Sequence, residues 1–342
     1  MGTFRIQILP FEHQLDCKAG QTILTAVLEQ GRYLRYGCKN GGCGSCKVQL
    51  LEGEIDQGGS SLALSPSERA KGYALLCTAV PLSDCTLDAN AMELTEDEFA
   101  SGDRTGVFFS EVECKEDLAP DIRRLYLRLI EPESIKFVAG QFVNVEVPRT
   151  AEVRSYSMAN PPSDSNHIEL IVKVLPKGIF SSHLESELKV GDRLRLFGPL
   201  GRLKIRLSYR SILAIAGGSG MAPILSMLTD LAEKQNTRAV TFFFGARREK
   251  DLYFQDRLES LRRSMPALET VFALSEEQPQ GWQGETGLVT EAVARRMPTL
   301  KNCDAYLCGP PGMIEAAMPL LIERGVRERN IYLDAFIASG DR

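Results

Sequence analysis

Four cysteines in the first quarter of the chain carry its most specific chemical signal. Cys38, Cys43 and Cys46 are separated by four and then two residues, and Cys77 follows after thirty more. Thiolates are soft ligands for iron and zinc. Structural zinc sites usually bring together two close Cys-x-x-Cys pairs. Here three ligands share one loop and the fourth stands alone, which suits a cluster of two irons and two sulfides. The residues between them are Lys39, Asn40, Gly41, Gly42, Gly44 and Ser45. Such small residues let the backbone wrap closely and aim N–H groups at cluster sulfurs, hydrogen bonds that help set a potential of roughly −400 mV for this type. Cys17, Cys85, Cys114 and Cys303 have no partner at ligand spacing and read as small buried apolar residues.

A second set of residues has the types needed to hold nucleotides. Arg154-Ser155-Tyr156-Ser157 follows a strand ending at Val147-Pro148. An aromatic face there could exclude water from a flat ring, and a guanidinium fork suits phosphate oxygens. Gly178, Ser181 and Ser182 stand at an expected helix start, where free N–H groups and hydroxyls receive phosphate. Gly217-Gly218-Ser219-Gly220-Met221-Ala222-Pro223 lies between an expected strand and helix. Its glycines permit a tight turn and close approach to a pyrophosphate, with Pro223 where a dinucleotide fingerprint has its third glycine. Cys308-Gly309-Pro310 and Asp334-Ala335-Phe336 complete the set. Taken singly, each motif also fits a plain surface strand, a structural turn or a core residue.

The elements that must position these residues are legible from period and punctuation. At 342 residues, with 44% apolar and 25% charged residues, the chain has room for two or three ordinary domains. The balance of 40 basic and 45 acidic residues argues against a nucleic-acid partner. Met1 to Pro10 does not read as a signal peptide, and the most apolar stretch, Ile212 to Leu228, is broken by Gly217, Gly218, Gly220 and Pro223. The expectation is therefore a cytoplasmic protein with no membrane contact, a compartment that keeps thiols reduced. His13, His167 and His183 are scattered and suggest no metal site or acid–base role.

Phe4, Ile6 and Ile8 alternate as in a strand, and Thr22 can cap a helix carrying Leu24, Val27 and Leu28 on one face before Gly31. Residues 1–92 thus form one small α/β unit, and the acidic stretch 93–105 reads as a linker. Residues 106–207 contain alternating runs at Leu125 to Leu129, Val143 to Val147, Ile168 to Val174 and Leu194 to Leu196, which predict an antiparallel barrel. Over 208–342 the texture is strand, glycine loop and helix, with apolar runs at Ile212, Val240, Val271, Ala305 and Ile331, as in an open parallel sheet. The fold class expected is α+β and α/β, in several domains.

Together these motifs resemble the reductases that serve bacterial multicomponent oxygenases. Residues 1–92 resemble their plant-type [2Fe-2S] ferredoxin domain, which implies a β-grasp-like fold with Cys38, Cys43, Cys46 and Cys77 as ligands. Residues 154–157 resemble the RxYS motif of the ferredoxin–NADP reductase superfamily. The resemblance implies an FAD-binding barrel with Tyr156 on the isoalloxazine, Arg154 on the diphosphate, Ser157 near the reactive ring nitrogen, and Ser155, Val172, Val174, Gly178, Ser181 and Ser182 around the cofactor. It further implies a nicotinamide domain using Gly217, Gly218, Gly220, Pro223, Arg247, Gly309 and Pro310, with Cys308 beside the nicotinamide and Phe336 covering the flavin. Ser157, Cys308 and Phe336 are the expected catalytic residues. Arg247 and Arg248 could bind a 2′-phosphate, but Glu249 and Asp251 would repel it, so NADH is preferred. The implied function is electron transfer from NADH through FAD and the cluster to an oxygenase, by a chain monomeric on its own. A soluble diiron monooxygenase is the favoured acceptor, with a ring-hydroxylating dioxygenase as the alternative. A non-enzymatic redox sensor is the reading from another class, though it would not require two complete cofactor segments.

Overall fold

Alternating apolar residues at the N-terminus form β1 (Thr3–Leu9), whose Ile6 and Ile8 are fully buried. It belongs to the first of two units in the computed structural model, which describes residues 2–58, 62–100, 106–150, 152–276 and 280–337. One unit comprises Met1–Gly106 with Leu200–Arg202, and the other Val107–Pro199 with Leu203–Ser339.

In the first unit the chain continues through β2 (His13–Lys18), α1 (Ile23–Glu29), β3 (Lys47–Glu52), β4 (Ile55–Asp56), α2 (Pro66–Ala70), β5 (Tyr73–Leu75), β6 (Val80–Pro81), β7 (Cys85–Asp88) and α3 (Glu96–Ala100). Five strands form one mixed sheet in the order β2-β1-β7-β3-β5, with β1 and β7 parallel. The Thr22 hydroxyl accepts from the Thr25 N–H to cap α1, which buries Ile23, Leu24, Ala26 and Val27. Its first two N–H groups donate to Ala79 and Leu76, so the helix grips the segment that carries Cys77. This is the grasp architecture expected for residues 1–92.

The acidic stretch read as a linker differs from expectation in one part. Its residues 96–100 form α3, and Phe99 is buried and stacked on Phe11 with ring centroids 4.2 Å apart. The one large apolar side chain there gains more from burial than a solvated linker would retain. Residues 101–105 lie outside the described residues.

The second unit opens with β8 (Gly106–Ala119), β9 (Ile122–Glu131), β10 (Phe142–Glu146), β11 (Val153–Ser157), β12 (His167–Lys173), α4 (Ile179–Ser186) and β13 (Arg193–Leu200). These strands run in the order β11-β10-β13-β8-β9-β12, and a bridge between Met158 and Leu170 joins the two ends into a barrel. Inward residues Leu125, Leu127, Leu129, Val143, Val145, Val147, Ile168, Leu170, Val172, Leu194 and Leu196 form its core.

The remainder is β14 (Ser211–Gly217), α5 (Met221–Glu233), β15 (Val240–Ala246), α6 (Gln255–Ser264), β16 (Leu268–Leu274), β17 (Glu285–Thr286), α7 (Val289–Arg296), β18 (Cys303–Gly309), α8 (Pro311–Glu323) and β19 (Ile331–Ala335). The sheet is parallel throughout, in the order β17-β16-β15-β14-β18-β19. Sequence runs outward in opposite directions from β14 and β18, and that switch point opens a crevice at the carboxyl ends of the strands, where ligands bind in such sheets. Among the described residues, no helix is long and apolar enough to cross a membrane.

Candidate functional site

The four ligand-spaced cysteines of the first unit, Cys38, Cys43, Cys46 and Cys77, fall into two pairs. The Cys38 N–H donates to the Cys43 sulfur and the Cys43 N–H to the Cys38 sulfur, each at 3.4 Å. A thiol hydrogen bond from Cys43 holds the Cys38 pKa below the usual thiol value, and one from Cys46 does the same for Cys77. The loop adopts positive φ at Lys39, Gly41 and Gly44, which curls it around the sulfurs as its small residues predict. The Leu76 N–H donates to the Cys46 carbonyl, tying the lone cysteine's segment to the loop. Two pairs of thiols suit two irons, each taking two cysteine ligands, and the donor set fits a [2Fe-2S] cluster better than a tetrahedral zinc.

The RSYS strand β11 shows a clear division of faces. Arg154 and Tyr156 share one face, as alternation demands. The Tyr156 ring lies 5.2 Å from that of Phe180, and burial pushes its phenol above the usual range. Arg154 donates to Glu152 at 2.8 Å, so its guanidinium is already held by an acidic neighbour. The Ser155 hydroxyl donates to Asn144 at 2.7 Å. Val172 points into the barrel core, which leaves its backbone as the part available to a ligand. Val174 lies beyond the strand, and its N–H donates to the Asp121 carbonyl.

Both expected phosphate cradles are helix starts without side-chain caps. Gly178 caps α4 and Gly220 precedes α5, and neither provides a side-chain acceptor, so first-turn N–H groups can meet an anion. In α4, Ser181 turns its hydroxyl to accept from the Leu175 N–H, and the Ser182 N–H donates to Gly178. The glycines ahead of α5 have separate reasons. A Cβ on Gly220 would meet the Cys308 carbonyl oxygen at 2.0 Å, whereas Gly218 has φ +54° and nothing within 4 Å of a Cβ. The former lets helix and strand touch, and the latter faces the open crevice. Tyr253 donates to the Gly218 carbonyl at 2.7 Å and fixes the loop. Pro223 is buried in the first turn of α5. The chain thus presents an aromatic face at Tyr156 and two helix starts without side-chain caps.

Residues from three distant segments meet at the crevice. Ser157 donates to Asp334 at 3.5 Å, and both are buried. Cys308 is the register partner of Asp334 and of Ala216. Burial, reinforced by Asp334, pushes its thiol well above the ordinary range, so the sulfur is neutral. The Phe336 N–H donates to the Gly309 carbonyl at 2.9 Å, and Pro310 begins the turn into α8. Ser157, Cys308 and Phe336 are thus neighbours, and Asp334, whose role the sequence left open, stands among them. Arg247, just past the carboxyl end of β15, is paired with Asp121 at 3.3 Å and Asp251 at 3.5 Å.

Sequence reasoning missed Tyr253, Asn144, Asn160 and Glu169. No local spacing marks them, because each acts on a residue remote in sequence or on another element.

The arrangement defines a class: a nicotinamide-dependent flavoprotein reductase with its own iron–sulfur domain. Residues 6–82 match the 2Fe-2S iron-sulfur cluster binding domain, 110–205 the oxidoreductase FAD-binding domain and 214–318 the oxidoreductase NAD-binding domain. The chain is 35% identical over 338 residues to the reductase component of propane 2-monooxygenase from Mycolicibacterium goodii, covering 97% of each. It is 37% identical over 344 residues to DmpP, the phenol 2-monooxygenase reductase component of a Pseudomonas, covering 99% of this chain and 96% of the relative. Among solved structures, the Amycolatopsis reductase GcoB superposes with a TM-score of 0.75 at 32% identity, covering 98% of this chain and all of the other. The ferredoxin reductase of carbazole 1,9a-dioxygenase gives 0.69 at 29% identity, covering 98% and 99%. The chain belongs to the family of reductase components of multicomponent oxygenases. It is an oxidoreductase that moves electrons from a nicotinamide coenzyme through FAD and a [2Fe-2S] cluster.

Proposed function

We propose that this chain reduces the hydroxylase of a soluble diiron monooxygenase, using NADH. The observation that carries the electron route is the pairing of Cys38 with Cys43 and of Cys46 with Cys77, since two-thiol sets match the two irons of a cluster that takes one electron at a time. FAD, once bound, accepts two electrons together and releases them singly, the conversion that a hydride donor and a one-electron centre need. Tyr156 would pack on the flavin ring, with Arg154 and the start of α4 toward its diphosphate. Gly217, Gly218, Gly220, Gly309 and Pro310 would line the coenzyme's path. Ser157, hydrogen-bonded to Asp334, is suited to orient a hydroxyl at the flavin, and the neutral thiol of Cys308 offers shape without competing as a nucleophile. Phe336, tied to Gly309, would shield the ring from water.

Charge pairing supports NADH. Arg247 is paired with Asp121 and Asp251, and Arg248 with Glu276 at 2.6 Å, and this group of carboxylates would repel a 2′-phosphate. The alternative acceptor is a ring-hydroxylating dioxygenase. We take the chain to be monomeric and cytoplasmic. The test is anaerobic reconstitution followed by cytochrome c reduction with NADH and with NADPH, alongside capture of the oxygenase from the native cell. Two irons and two sulfides per chain, faster turnover with NADH and a diiron hydroxylase in the captured material are expected. Zinc in place of iron, or preference for NADPH, would overturn the respective part.

A further inference from the structure

Glu169 on β12 of the barrel is 1% exposed, yet its side chain ends in a carboxyl group. Its carboxylate accepts from the Arg124 Nε on neighbouring β9 at 2.7 Å. It also accepts from Nη1 of Arg257, on α6 of the nucleotide-binding sheet, at 2.8 and 2.9 Å. Arg124 alone would supply the charge that a buried carboxylate needs. The second guanidinium comes from a different fold layer, 88 residues further along the chain.

A second crossing starts beside the first. The Glu169 N–H donates to the side-chain oxygen of Asn160 at 2.9 Å, and the Asn160 amide donates to the carbonyls of Asp164 and His167. Held in this way, Asn160 offers its own carbonyl to the Ser226 hydroxyl of α5 at 2.7 Å, where Ser226 is wholly buried. Asn160 is three residues beyond Ser157, and α5 begins at the Gly220 turn. The strand that faces the flavin and the helix that faces the coenzyme are therefore joined by one continuous polar chain. Two crossings, on α5 and α6, fix rotation as well as separation.

Buried ion pairs contribute little net stability, because desolvation offsets their attraction, and well-packed apolar residues often do as well. What such a network supplies is a unique geometry. We propose that Glu169, with Asn160 and Arg257, is a positioning device that sets the alignment of the coenzyme-binding sheet on the flavin barrel, and with it the rate of hydride transfer. This rests on the functional reading above.

The test follows anaerobic flavin reduction by NADH in the fully loaded chain by stopped flow, with wild type, Arg257→Gln, Arg257→Lys and Ser226→Ala. Displacement of reacting atoms by about 1 Å can cost on the order of 100-fold, so Arg257→Gln should lose about tenfold or more at saturating NADH. Its NADH dissociation constant should stay within about twofold, since Arg257 does not lie at the glycine loop. Because the single nitrogen Nη1 reaches both carboxylate oxygens, Arg257→Lys should regain most of the rate, and Ser226→Ala should lose rate in the same manner. Amide exchange, measured separately, should quicken in 221–233 and 255–264 of Arg257→Gln while its melting temperature holds. A wild-type rate in Arg257→Gln overturns the inference. So does a loss confined to NADH affinity, or one that tracks a fall in melting temperature. A wild-type protein whose FAD stays oxidised with NADH would instead overturn the functional reading, which amide exchange does not depend on.

Discussion

Replacing Gly220 by Ala tests the contact between α5 and β18 directly. The new Cβ would lie 2.0 Å from the Cys308 carbonyl oxygen, 2.5 Å from its carbon and 2.8 Å from the Gly309 Cα. All three are backbone atoms of a central strand, so no rotamer change relieves the clash, and helix or strand must shift. Overpacking a tight interior costs about 1–3 kcal/mol, and contacts this short against backbone place the variant at the upper end. For a unit of this size each kcal/mol lowers the melting temperature by about 2–4 °C, so Gly220→Ala should melt roughly 6–12 °C below wild type. Gly218→Ala is the control. With φ +54° and open space around its Cβ, it should cost about 1–2 kcal/mol of left-handed strain. Release of FAD fluorescence on heating reports the second unit, and the visible absorption of the cluster reports the first. Melting of Gly220→Ala within about 2 °C of wild type, or above Gly218→Ala, would refute the reasoning.

Cys43→Ser should abolish NADH-driven cytochrome c reduction while sparing ferricyanide reduction, which flavin alone supports; equal loss of both would deny the cluster a separate downstream role. Asp121→Asn removes one of the two carboxylates holding Arg247. Exposed pairs are worth about 0–1 kcal/mol, so the preference for NADH over NADPH in kcat/KM should narrow by up to about fivefold. Burial pushes the Cys303 thiol from 9.0 up to about 11. A raised thiol pKa in the fold means stability that is complete below pH 9 and declines as pH climbs toward 11. The loss is about 2–3 kcal/mol. Denaturant midpoints measured across that window should fall in wild type and fall less steeply in Cys303→Ala.

Much of this molecule was legible because its signals are local. Alternation at Leu125, Leu127 and Leu129 gave the inward face of a barrel strand, and the glycines before Met221 gave a strand-to-helix turn. Cysteine spacing indicated two irons because the ligands sit on one loop and one neighbour. What stayed hidden depends on long-range packing. Phe99 lies in an acidic run, and its burial depends on Phe11, 88 positions away, which stacks on it. Glu169 lies between Ile168 and Leu170 in an alternating strand, and nothing within ten residues announces two arginines on separate elements. Asp334 was visible but mute, since its meaning comes from Ser157 and Cys308 in other segments.

The buried sulfur at the end of β18 also bears on durability. A protein that handles electrons in air works beside some hydrogen peroxide, and peroxide attacks thiolates far faster than thiols. With no solvent exposure and its thiol pushed well above the ordinary range by burial, Cys308 should resist conversion to a sulfenic acid.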